Sequence, residues 1–278
     1  DGIIYLKNKL LKEETPDFFL ASVYVWNRKE MEAVSQLIKK EFPDCITVCG
    51  GPEVTAFPES FLSSFDYITT GPGEETVPYL IRKILEEDAY KSRIISSSLF
   101  QNKIEKFSSP YLDGTINPEH YGGGVLWELA RGCPFKCSYC FESKGESKIS
   151  YFPMEKIQSE IQYFKEKKVT QVFVLDPTYN ASKKRALEIL DLISKFTPNT
   201  FYYFEARAEF IDRDLAKAFT KIPCALQFGL QSSDENVLKL VHRQFNKKLF
   251  VKNIGILNQE GVIFGFDLIY GLPGDTYK

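Results

Sequence analysis

The chain has little of what marks several large protein classes. Lys and Arg number 35 against 37 Asp and Glu, a net charge of -2, so no basic excess announces a nucleic-acid partner. No apolar run approaches the roughly 18–20 residues needed to cross a bilayer, and Asp1-Gly2-Ile3-Ile4 does not read as a signal peptide. Histidine is scarce: His120 and His242 are the two in the chain. Six cysteines in 278 residues fall short of the density of a secreted, disulfide-stapled protein. The composition is that of a soluble cytoplasmic protein with reduced thiols, long enough for two ordinary domains, and 44% hydrophobic residues fill normal cores. Residue 1 is not Met, and the run ending at Gly271-Leu272-Pro273-Gly274-Asp275 closes a strand that should feed another helix. The chain therefore reads as a fragment of a longer protein.

Strand and helix patterns alternate along most of the chain. Phe18 to Val25 is an apolar run suited to a buried parallel strand; Met31, Val34 and Ile38 then recur at helical spacing. Cys45 to Val48 is a short strand closing on Gly50-Gly51-Pro52. Another, Phe65 to Thr69, ends at Gly71-Pro72-Gly73-Glu74, and Val77, Leu80, Ile81, Ile84 and Leu85 form an amphipathic stripe. Such a pattern predicts part of an open, doubly wound α/β sheet over residues 1–95. Residues 96–124 carry Ser and Gly clusters with little periodicity and read as a linker. From Val125 five strand patterns follow: Val125 to Ala130, Gln171 to Leu175, Phe201 to Phe204, Ala225 to Leu230 and Phe264 to Tyr270. Helical stripes separate them, so residues 125–278 predict a partial (β/α) barrel.

Cys133, Cys137 and Cys140, spaced C-x3-C-x2-C, follow the first of these strands. A loop at a strand's C-terminal end is where chemistry collects in α/β proteins. The set is three thiols and not four. Structural zinc prefers a closed tetrahedral set, whereas a four-iron cluster can be held by three thiolates with one iron left open. A zinc knuckle with a distant fourth ligand, or a disulfide with a spare thiol, remain the alternatives. Cys45, Cys49 and Cys224 lie in apolar runs and read as core residues.

The run Arg131 to Phe141, with an aromatic before the third cysteine, resembles the cluster loop of the radical S-adenosylmethionine (radical SAM) superfamily. The resemblance implies a 4Fe–4S cluster on Cys133, Cys137 and Cys140 whose open iron takes the amino and carboxylate groups of SAM, with the backbone of Tyr139 near adenine. It also implies a six-stranded partial barrel, with its sixth strand beyond Lys278. One-electron reduction of SAM would then release a 5′-deoxyadenosyl radical. At the strand ends, Asp176, Glu205, Arg207, Gln231 and Ser232 are candidate SAM residues; Glu205 and Arg207 alternate on one strand face. Phe228 to Ser232 followed by Asn236 resembles the fourth-strand motif of the branch that includes methylthiotransferases. His242-Arg243 reads as a helix cap.

The N-terminal glycine turns resemble those of cobalamin-binding domains. Ser22 matches the serine of that family's second motif, and Gly50-Gly51 the glycines that flank the nucleotide tail. Gly71, Gly73 and Glu74 close the next strand on the same sheet edge, and Trp26 would face the lower side of the corrin. The module order is similar to cobalamin-dependent radical SAM enzymes across essentially the whole chain. That implies methyl transfer to an unactivated carbon of a small-molecule or peptide substrate, with electrons from a flavodoxin or ferredoxin. Other radical SAM chemistry without cobalamin, and a zinc-stabilised binding protein, are the competing readings.

Overall fold

A computed structural model describes residues 15–86, 92–100, 103–142 and 147–276. The reading of the N-terminal four residues as no signal peptide lies outside the described residues. The chain divides into two compact units, residues 1–103 and 104–278.

In the first unit β1 (Phe18–Ser22), β2 (Ile46–Gly50), β3 (Tyr67–Thr70) and β4 (Ile94–Ser96) form one parallel sheet in chain order. Helices α1 (Arg28–Glu41), α2 (Pro52–Ala56) and α3 (Gly73–Leu85) connect them. Val34 and Ile38 of α1 pack with Cys45 and Phe19, while Leu80 of α3 packs with Val48 and Ile95. Because neighbouring residues of a strand point to opposite faces, Val48 and Cys49 serve different layers: Cys49 joins Ala21, Val23, Phe61 and Ile68. Both faces are covered, as a parallel sheet requires. Burial raises the thiol pKa of Cys49 to about 12, which suits the core role expected of it.

The stretch expected as a linker is divided between the units. Its first residues end β4, paired with β3, while Ile104 and Tyr111 are buried in the second unit. The Tyr111 ring meets Phe164 edge-on at 5.3 Å and its hydroxyl donates to the Leu126 carbonyl. Isolated apolar residues in a Ser- and Gly-rich run have no period, so their burial leaves no signature in the pattern.

The second unit holds five parallel strands: β5 (Gly124–Trp127), β8 (Gln171–Val174), β9 (Phe201–Ala206), β10 (Cys224–Gln231) and β11 (Phe264–Leu268). A two-stranded antiparallel ladder, β6 (Ala130–Arg131) with β7 (Ser150–Tyr151), interrupts the first crossover. In space the large sheet runs β5-β8-β9-β10-β11. Helices α4 (Met154–Glu166), α5 (Lys183–Phe196), α6 (Arg213–Phe219) and α8 (Lys247–Glu260) follow the first four strands, with the short α7 (Glu235–Leu240) preceding α8. Ile157, Ile161, Phe164, Ile189, Ile193, Leu215 and Phe219 pack against Trp127, Val172, Tyr202, Phe204 and Phe228 on the outer face of the sheet. The Trp127 indole N–H donates to the buried Glu160 carboxylate at 2.8 Å, so the largest core side chain leaves no polar atom unmatched. On the inner face, β9 alternates buried Tyr202, Phe204 and Ala206 with accessible Tyr203 and Glu205. That alternation turns Glu205 into the concave side of a partial barrel.

Candidate functional site

The cysteine loop leaves β6 through Gly132, whose φ of +90° belongs to a region that glycine enters without penalty. Four anchors hold its base. The Asp176 carboxylate, just past β8, accepts the backbone N–H groups of Leu129 and Ala130 at 2.7 and 3.0 Å. Arg185 of α5 donates to the carbonyls of Leu129 and Phe152 at 3.3 and 2.7 Å. The β6–β7 ladder closes the loop's two ends, pairing Ala130 with Tyr151 and Arg131 with Ser150. Further along, the Ser138 N–H donates to the Val241 carbonyl at 3.0 Å.

Between these anchors the loop lines a cavity of about 170 Å³ with Cys133, Phe135, Cys137, Tyr139 and Cys140. Glu142 completes the loop's share. The strand ends supply Pro177, Thr178, Glu205, Arg207, Gln227, Gly229, Gln231 and Asp267, and Arg243 enters from beyond α7. Cys133 and Cys137 are buried and Cys140 is partly exposed; all three are free thiols. Burial pushes the Cys133 thiol up, and the neighbouring Cys140 and Cys137 add to the effect. Among the described residues no three His, Cys, Asp or Glu side chains form a group suited to one metal ion. The three thiols line one cavity, and a four-iron cluster held by three thiolates would bind each sulfur to a different iron.

The expected SAM residues do not all meet there. Tyr139, Glu205, Arg207 and Gln231 line the cavity; Asp176 and Ser232 do not. Asp176 is 5% exposed and occupied with the loop backbone. Burial raises its pKa to about 7 in spite of those two N–H bonds. The Ser232 hydroxyl accepts the Asp234 N–H at 3.1 Å, ahead of α7. Arg207 is buried, pairs with Glu209 at 2.9 Å, donates to the Gln244 carbonyl at 2.6 Å, and stacks 3.9 Å over the Phe135 ring. It therefore also holds the loop. Glu205 is held above the usual carboxylate range by burial and by Asp267 and Glu142. Burial likewise lifts Tyr139 to about 12.

Gln231 sits at a bulge in the β10–β11 pairing with a φ of +69°. Its side-chain oxygen is buried without a partner, and so is Nε of Arg243. A strained backbone and two orphaned polar atoms in one cavity are what a missing polar ligand would explain. Gln227 and Asp267 were not singled out from the sequence, and Arg243 was read there only as part of a helix cap. Arg243 lies 106 residues from Cys137, and no local spacing could connect them. Asp267 did carry a signal: a carboxylate inside an apolar strand pattern.

In the first unit the expected residues lie at one sheet edge, since β1, β2 and β3 are parallel and end at Ser22, Gly50 and Thr70. Gly51 has φ +111°, and a Cβ there would fall 2.7 Å from the Val23 carbonyl oxygen. Gly71, with φ +75°, lies against Ser97. Both glycines are thus required by the fold itself. Gly73 and Glu74 open α3. Trp26, 74% exposed, stacks on Tyr24 with centroids 4.7 Å apart, and Val25 beside it is 73% exposed. Flat apolar surface at a glycine-lined strand edge fits the face of a large planar ring.

The fold and site define a partial parallel barrel carrying a three-thiol loop at its strand ends, preceded by a parallel α/β unit. The chain belongs to the radical SAM superfamily, whose family model matches residues 127–278; the B12 binding domain model matches residues 9–81. A 4Fe–4S cluster, SAM and cobalamin are the corresponding cofactors. Among curated proteins the chain is similar to the cobalamin-dependent radical SAM methyltransferase TokK of Streptomyces tokunonensis, 27% identical over 95% of this chain and 43% of TokK. It is also similar to the 2-(S-pantetheinyl)-carbapenam-3-carboxylate methyltransferase of Streptantibioticus cattleyicolor, 28% identical over 93% and 43% of the two chains. The chain thus spans less than half the length of these relatives. The fold is shared with the radical SAM methyltransferase TsrM of Kitasatospora setae, at TM-score 0.78 and 14% identity over 99% of this chain and 62% of TsrM. OxsB, a cobalamin-dependent SAM radical enzyme, gives TM-score 0.79 at 16% identity over 96% and 42%.

Proposed function

We propose that the protein is a cobalamin-dependent radical SAM methyltransferase acting on an unactivated carbon. The observation that carries the reading is the joint presence, in one chain, of the three-thiol barrel mouth and the B12-binding sheet edge. The two curated relatives above, methyltransferases by name, support the reaction type. When bound, the cluster supplies one-electron reduction of SAM and cobalamin carries the methyl group, chemistry the cofactors own.

The chain's residues place and shield those groups. Cys133, Cys137 and Cys140 hold the cluster. Tyr139, Glu205, Arg207 and Gln231 surround the SAM position, with Asp267 and Glu142 helping to hold the Glu205 carboxyl above its ordinary range. Asp176 serves the site by fixing the loop, and Ser232 by starting α7. Ser22, Gly50, Gly51, Gly71, Gly73 and Glu74 would shape the sheet edge that takes cobalamin, and Trp26 would offer the corrin a flat apolar face. A small-molecule or peptide substrate would enter the accessible concave face of the sheet, and a flavodoxin or ferredoxin would deliver the electron. Among the described residues no helix is long and apolar enough to cross a membrane; a cytoplasmic location is part of the proposal.

Anaerobic reconstitution with iron, sulfide and hydroxocobalamin, followed by desalting and metal analysis, tests it. About four iron and four sulfide per chain, with stoichiometric cobalt, is the expected result. Iron and sulfide without cobalt would move the reading to radical SAM chemistry that does not use cobalamin, and zinc alone would overturn it. Cys137→Ala should lose the cluster and reductive SAM cleavage while the first unit stays folded.

A further inference from the structure

Arg243 ends the turn after α7. The His242 N–H donates to the Lys239 carbonyl at 3.1 Å and the Arg243 N–H to the Leu238 carbonyl at 2.9 Å. This is the paired-bond helix ending in which the residue after the cap turns left-handed. Glycine usually fills that place, yet here it is His242, with φ +53°. A side chain in that region costs of order 1 kcal/mol, so the turn is held by something other than its own preference.

What the turn achieves is the placement of one guanidinium. Arg243 Nη2 donates to the Gly229 carbonyl; Nη1 lies 3.9 Å from Cys137 Sγ and 3.5 Å from the Tyr139 hydroxyl. A Cβ on Gly229 would come 2.4 Å from Gln231 Nε2 and 3.3 Å from Arg243 Nη2, so glycine there leaves the space both side chains use. Among the described residues no carboxylate lies within ion-pair distance of Arg243, and its Nε is buried without a partner. A guanidinium in a partly buried site without a counter-charge is costly. The group it faces is the Cys137 sulfur, which carries negative charge when it ligates a metal.

We infer that Arg243 sets the reduction potential of the cluster by placing a fixed positive charge against the Cys137 sulfur. The inference rests on the reading of Cys133, Cys137 and Cys140 as cluster ligands. Reduction adds one electron to the cluster and takes up no ligand, so a nearby cation stabilises the reduced form and raises the potential. Hydrogen bonds to cluster sulfurs act in the same direction. Arg243 is a positioning residue in this sense: it acts through a ligand.

The test compares the reconstituted wild-type chain with R243M and R243K. Dithionite is the reductant, the reduced cluster is followed by electron paramagnetic resonance at set potentials, and SAM is absent throughout. R243M keeps a long apolar stem in the site and removes the charge. At the wild-type midpoint its ratio of reduced to oxidised cluster should fall about tenfold, 59 mV for one electron. R243K keeps the charge without the planar fork and should stay within about threefold of wild type, half of that logarithmic change. If R243M fails to assemble a cluster, R243Q supplies the neutral comparison and the same fall is expected. An unmoved potential in the neutral variants would overturn the inference, as would equal shifts in R243K and R243M. Weaker SAM binding with an unmoved SAM-free potential would overturn it too, making Arg243 a ligand contact. A wild-type chain that binds no iron and sulfide would instead overturn the reading of the cysteines.

Discussion

Asp176→Asn separates the charge of a buried carboxylate from its hydrogen bonds. Asp176 is 5% exposed, and its pKa rises from 3.8 to about 7, chiefly through desolvation, opposed by the Leu129 and Ala130 N–H groups. A carboxyl whose folded pKa lies above its unfolded one binds the extra proton in the folded state. Its ionisation therefore lowers stability as pH rises from about 4 to about 7, with no further change above. The shift of about 3 units, at 1.36 kcal/mol each, amounts to about 4 kcal/mol; the part falling between pH 5 and pH 8 is about 3 kcal/mol. Asparagine keeps the oxygen that accepts both N–H groups and cannot ionise. The variant should match wild type near pH 4 and exceed it at pH 8. Asp176→Ala, which strands two buried donors, should be destabilised at every pH by about 1–3 kcal/mol per donor. Urea unfolding of the cluster-free chain, followed by the buried Trp127 in a Trp26→Phe background, measures this; these are the chain's two tryptophans. Wild-type and Asp176→Asn curves that stay parallel from pH 5 to pH 8 would refute the reasoning.

The first unit offers two further tests of opposite kind. Gly51→Ala forces a Cβ to within 2.7 Å of the Val23 carbonyl at φ +111° and should destabilise the unit by about 1–3 kcal/mol, read as a lower urea midpoint by circular dichroism; a wild-type midpoint would show that the turn relaxes. Trp26→Ala, at a side chain 74% exposed, should leave that midpoint within about 0.5 kcal/mol of wild type. It should weaken cobalamin retention about tenfold, the equivalent of about 1.4 kcal/mol of ring contact. Unchanged retention after desalting would remove Trp26 from the corrin site.

The regular elements were legible because their periods are local. The strands expected at 171–175, 201–204 and 225–230 correspond to β8, β9 and β10 within one or two residues at most ends, and the intervening stripes of Ile157, Ile161 and Leu190 face the core as expected. The cysteine spacing was legible for the same reason. Short or non-periodic pieces were not: β4 has three residues and the β6–β7 ladder two on each side. The roles of Asp176 and Arg207 were hidden differently. Both sit at strand ends, where a ligand contact and a loop anchor carry the same sequence signal. Only the 47-residue reach from Asp176 to Leu129 shows that its carboxylate is engaged by backbone. Arg243 read as a cap and its backbone is one, but its side chain does something the cap does not require.

The distribution of anchors explains how a loop with almost no regular structure can present three thiols in fixed positions. The holds on it come from three strand-helix units of the barrel: Asp176 after β8 with Arg185 on the α5 that follows it, Arg207 after β9, and the Val241 carbonyl and Arg243 after β10. A loop fixed this way inherits its geometry from the sheet, because parallel strands in register place their C-terminal ends at fixed spacing. Apart from Arg243, whose Nη1 lies against Cys137 Sγ, the anchors use backbone carbonyls, backbone N–H groups and one ring face of the loop, so they constrain its path without engaging a thiol. Precision at the site is thus a property of the sheet's edge, and the loop sequence needs to supply little beyond Gly132, Phe135 and the cysteines themselves.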